Sequence, residues 1–139
     1  MRHRSREFEP SGVLRVAVVF VLTMSLLVAS GCSGQQRAAP VDESLARVTL
    51  KRVLEHWKAG GAIDDLRAES PEVVVQEELW YRGDRLIDFT IKDGRAVDAN
   101  WFCEVELTVT SEAESKPKRQ TVTYAVGTDP VLTVFHAML

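Results

Sequence analysis

Asp88, Tyr124 and His136 are the side chains whose types could move a proton. A carboxylate can act as a base, a phenol as a donor and an imidazole as either, provided that they converge on one pocket. The strand pattern argues against convergence. Asp88 alternates with Leu86 and Thr90, opposite Ile87, Phe89 and Ile91. If the apolar set faces the core, Asp88 faces water. Tyr124 shares a face with Val122 and Val126, so its ring is expected in the core with the hydroxyl at an edge. The three residues stand as pocket candidates, with no catalytic residue assigned.

Other chemistry is weaker still. His56 and His136 need at least one more converging ligand to hold a metal, and the sequence has no His-x-x-x-His or Cys pair to supply it. No metal or cofactor is expected. Cys103 falls between Trp101 and Val105 on a predicted dry face, where a thiol behaves as a small hydrophobe with a raised pKa. Trp57, Trp80 and Trp101 could line a pocket or a partner-facing patch, but aromatics in a small core are commoner than aromatics at interfaces. The charged stretch from Ser111 to Arg119 reads as a solvated hairpin tip.

The elements that would carry these residues follow from periodicity. Asp42 is a candidate helix cap, and Leu45, Val48, Leu50, Val53, Leu54 and Trp57 recur at spacings of three and four. That predicts an amphipathic helix stopped by Gly60 and Gly61. Ala62 to Ala68 predicts one short helical turn, ended by Pro71. From Glu72 the period becomes two. Five strands are predicted: Glu72 to Trp80, Arg85 to Lys92, Trp101 to Thr110, Arg119 to Val126, and Val131 to His136. Asp93-Gly94 and the Gly127–Pro130 stretch read as turns. A helix followed by consecutive short strands predicts an α+β domain, its helix packed on an antiparallel meander of four to five strands.

The segment ahead of this domain has its own logic. Arg2, Arg4, Arg6 and Arg15 precede or open the apolar run Val16 to Val28, and small residues Ala29, Ser30 and Gly31 lead to Cys32. A basic start, a short apolar core and a small-residue end are the parts of an export signal. The run is shorter than the roughly 20 residues that span a bilayer. VASGC resembles the lipobox of bacterial lipoproteins, with Ala29 where leucine is commonest. That resemblance implies cleavage between Gly31 and Cys32 and a diacylglycerol on the Cys32 thiol. Residues 33–41 then read as a flexible tether.

Of the 17 basic and 20 acidic residues, four basic and two acidic lie in the first 31, leaving a net charge of −5 from Cys32 onward. Such a surface repels phosphate backbones, so nucleic acid is not an expected partner. With Cys32 lipidated, Cys103 has no intramolecular disulfide partner.

Two further resemblances concern the domain. The order of elements across residues 42–139 resembles the cystatin-like and NTF2-like roll, in which a curved sheet wraps a helix. Members similar to ketosteroid isomerase use an Asp base and a Tyr donor, the role open to Asp88 and Tyr124. Trp57 with Gly60, the run Trp80-x-x-Gly83-x-x-Leu86-Ile87 and the ending VGTDPVLTVF are similar to a family of small bacterial lipoproteins of uncharacterised activity. That family implies export and fold, and no catalytic residues. The expectation is therefore an exported, membrane-anchored, non-enzymatic module with a possible protein partner in the cell envelope. A small-ligand or isomerase-like pocket is the alternative.

Overall fold

The computed structural model describes residues 39–114 and 116–137. The proposed export signal, the Gly31–Cys32 cleavage point and the lipidated Cys32 lie outside these residues. The described elements are α1 (Glu43–Lys58), α2 (Ile63–Ala68), β1 (Val73–Gln76), α3 (Glu78–Tyr81), β2 (Arg85–Val97), β3 (Asn100–Thr110), β4 (Lys118–Gly127) and β5 (Leu132–Ala137). The strands form one sheet in the order β1-β5-β4-β3-β2. The class is α+β, with a mostly antiparallel five-stranded open sheet. No helix among the described residues is long and apolar enough to cross a membrane.

Helix α1 begins where Asp42 accepts the Leu45 N–H at 3.0 Å, satisfying one of the first-turn donors. Its buried face is Ala46, Thr49, Leu50, Val53, Leu54 and Trp57. Leu45 and Val48, expected on that face, are exposed, Val48 by 64%. Small Ala46 and Thr49 line the face instead, because close approach of a helix to a sheet favours short side chains there. Against them pack Trp101, Cys103, Val105, Leu107 and Val109 of β3, with Val122, Tyr124 and Val126 of β4. These strands alternate as their sequences predict, one face dry and the other wet.

Three expectations need correction. The first strand ends at Gln76, not Trp80, and Glu78–Tyr81 is helical. The cause is Glu77, whose side chain accepts the Leu79 N–H at 3.0 Å and starts the turn. The sheet is also not a pure meander. β1 pairs parallel with β5 at one edge, while β2 to β5 follow one another antiparallel.

The third correction is that Asp93-Gly94 is no turn. Strand β2 runs through it to Val97, with register irregularities between Leu86 and Asp88 and between Ile91 and Gly94. The first irregularity falls at Ile87, so Leu86 is buried while Ile87 is exposed, and the expected trio of Ile87, Phe89 and Ile91 is broken. The reversal to β3 lies instead at Asp98, which takes a φ of 53°, a conformation that Asp tolerates.

Gly94 is needed for a different reason than a turn. A Cβ built on it would collide with the Trp101 indole. Gly94→Ala should therefore force the ring or the strand aside and destabilise the fold by about 1–3 kcal/mol. Urea unfolding checks this: the midpoint should fall while the m-value holds.

Candidate functional site

Two constellations gather the side chains with chemical capacity. The first centres on Glu77, which is only 2% exposed. Its position follows from local structure: it caps α3, and β1 carries it to the sheet edge beside β5. Tyr124 donates its hydroxyl to Glu77 Oε2, and His136 Nδ1 lies 3.1 Å from Oε1. The Leu79 N–H completes the set. A phenol, a backbone N–H and an imidazole thus converge on one buried carboxylate. Tyr124 and His136 sit opposite each other on β4 and β5, their rings 6.0 Å apart. Burial, then the neighbouring carboxylate and its hydrogen bond, push the Tyr124 phenol well above its ordinary range.

Two of the three proton-transfer candidates thus meet, and the third does not join them. Asp88 is on the exposed face of β2, where it binds Lys58 Nζ at 2.9 Å. That ammonium holds the Asp88 carboxyl below its usual range. Glu77 is the residue that the sequence pattern misses. A charged residue between Gln76 and Glu78 reads as solvent-facing, and the only local sign of its role is a capping side chain two residues before Leu79.

The second constellation is aromatic. Helices α1 and α3 end in the same way, Trp-x-x-Gly. Gly60 N–H donates to Trp57 O and Gly61 N–H to His56 O; Gly83 N–H donates to Trp80 O and Asp84 N–H to Leu79 O. Both are Schellman caps, with Gly60 and Gly83 at φ of 83° and 87°. The shared geometry sets both indoles two positions before the cap, and they stack 5.4 Å apart at 13°. Trp57 is 3% exposed and gives its indole N–H to Asp84 O at 2.9 Å. His56 Nε2–H donates to Ala62 O at 3.0 Å, and its ring lies 6.0 Å from that of Trp80.

Cys103 is buried, its thiol 3.2 Å from Lys92 O, and desolvation raises its pKa. Among the described residues no group of three or more His, Cys, Asp or Glu side chains is arranged to hold a metal ion. Trp101 is buried under Gly94, with the Arg47 guanidinium 5.1 Å from its ring.

The Tyr124 network has a pH signature. The folded state holds the phenolic proton more tightly than the unfolded chain does. Its contribution is complete below the unfolded value near about 10 and is lost as pH rises beyond it. Melting temperature should fall between about pH 9.5 and 11. In Tyr124→Phe this component should vanish, while stability at neutral pH drops by about 1–3 kcal/mol, since Glu77 loses a donor. Thermal unfolding followed by circular dichroism across that range checks both statements.

No protein-family model matches the chain, and no curated protein or solved structure matches it.

Proposed function

We propose that this chain is an exported lipoprotein, anchored to a cell-envelope membrane by a diacylglycerol on Cys32. Its domain, a roll of the cystatin-like or NTF2-like kind, then works as a non-enzymatic accessory or protein-interaction module. One observation carries the second half of this reading: the space between helix and sheet is filled. Leu50, Leu54 and Trp57 of α1 meet Trp101, Val105, Leu107 and Tyr124 with all seven buried. An isomerase-like pocket would need Asp88 and Tyr124 to face one cavity. Asp88 is exposed and paired with Lys58, whereas Tyr124 is buried against Glu77.

The anchoring half rests on the residues around Cys32 and gains a geometric consequence from the domain. Ala39 N–H donates to Asp129 Oδ2, Val41 N–H to Asp98 O and Asp42 N–H to Thr128 Oγ1. The chain is thus fixed to the β2–β3 and β4–β5 turns by residue 39. Seven peptide links separate Cys32 from that point, a reach of at most about 25 Å. A lipid on Cys32 would therefore hold residue 39 within that distance of the bilayer.

The test is fractionation of the producing cell. Wild-type protein should sediment with membranes, incorporate a clickable fatty acid and lack residues 1–31 by mass. Cys32→Ser should remove the label and release the protein from the membrane fraction. A variant that stays membrane-bound at unchanged mass would replace the lipid anchor with an uncleaved amino-terminal segment.

A further inference from the structure

We infer that the groove between the two Trp-x-x-Gly caps is a saccharide-binding site, taking the flat face of a sugar ring on Trp80. This goes beyond the module reading above and does not depend on the anchor. The groove has a volume of about 390 Å³ and is lined by Trp57, Lys58, Gly60, Trp80, Gly83 and Arg85 among others. That is within the range of small-molecule sites. Trp57 is spent on Trp80 and Asp84. Trp80 is half-buried, stacked on Trp57 with the His56 ring 6.0 Å away, and the part of its indole that remains exposed lines the groove. Above Gly60 and Gly83 nothing lies within 4 Å of where a Cβ would stand, so bare backbone lets a ligand approach closely.

The charges around the groove select among ligands. Lys58 is paired with Asp88 at 2.9 Å and Arg82 with Asp84 at 3.3 Å. A small cation would meet Lys58 and Arg85, and a small anion would have to compete with Asp88 for Lys58. An apolar planar ligand would cover ion pairs while giving them no hydrogen bonds. A neutral polyhydroxylated ring avoids all three costs. Its C–H face stacks on the indole, while neighbouring hydroxyls accept from Lys58 or Arg85 and donate to Asp88. Lys58 is already placed, with its ammonium 5.8 Å from the Phe89 ring centroid.

The experiment uses the full chain in a detergent without a sugar headgroup, with 5-fluorotryptophan at all three tryptophans. Chitotetraose and maltotetraose are titrated separately, and fluorine spectra are recorded. A saturable shift of the Trp80 resonance, with Trp101 still, supports the site. Response to chitotetraose alone identifies an N-acetylated amino sugar, and response to maltotetraose alone a neutral hexose. Asp88 and Arg85 are exposed, so Asp88→Asn and Arg85→Ala should fold, which the unchanged Trp101 resonance verifies. Each should weaken binding about tenfold. The proposal is overturned if neither sugar moves Trp80 at roughly 10 mM, if all three resonances move together, or if both variants bind as the wild type does.

Discussion

A carboxylate cannot be buried in a small domain unless its hydrogen bonds are made, and Glu77 organises much of the fold by that rule. It ends β1 after four residues because its side chain turns back on the Leu79 N–H. The chain then leaves the β1 edge of the sheet through α3 and enters the far edge as β2, from which three antiparallel steps return to β5. The remaining acceptor positions of Glu77 receive Tyr124 from β4 and His136 from β5. One residue therefore ties together the first strand, the last strand and its neighbour, at sequence separations of 47 and 59. Parallel pairing of β1 with β5 is the geometric outcome, since the strand that opens the sheet docks beside the strand that closes it.

The second organising device is local and duplicated. Two helices, one of 16 residues and one of four, stop with the same cap and place a tryptophan at the same position within it. A four-residue helix has almost no stability of its own. Here α3 is held at its start by Glu77, at its end by Gly83, and on its side by the stacked Trp57 ring. The Tyr81 hydroxyl adds a bond to Val75 O at 3.2 Å. The chain's passage from β1 to β2 is fixed by these contacts, not by helix propensity.

Legibility in the sequence follows the same division. Where burial alternates strictly, as from Trp101 to Val109 or from Val122 to Val126, the pattern alone assigns strand, face and core. Where a residue does something its type does not advertise, the pattern misleads. Glu77 is charged yet buried, so Val73 to Trp80 reads as one strand. Gly94 follows an Asp, so it reads as a turn, although its missing side chain makes room for Trp101. Ile87 sits at a register irregularity, which puts Leu86 inside and Ile87 outside, whereas Phe89 and Ile91 beyond it keep the expected face and pack on the core. Of the proton-transfer candidates, Tyr124 and His136 can be placed by alternation, but their common partner comes from a separate element, and no local rule links residues so distant. The twin glycines are legible as helix stops, whereas the stacking of Trp57 on Trp80 depends on tertiary docking.

These two devices divide the domain's polar chemistry between its inside and its surface. Inside, the Glu77 carboxylate is engaged by the Tyr124 hydroxyl, the Leu79 N–H and the His136 imidazole. On the surface, the groups around the twin caps are held but not exhausted. Trp80 is fixed by Trp57, which is fixed in turn by Asp84 O; Lys58 is fixed by Asp88 and lies beside Phe89. Side chains already ordered by such contacts lose little rotamer freedom when something docks on them, so the docking free energy is not consumed by ordering them. Leu50, Leu54 and Trp57 close the gap between helix and sheet, and the groove between the twin caps stays open at the surface.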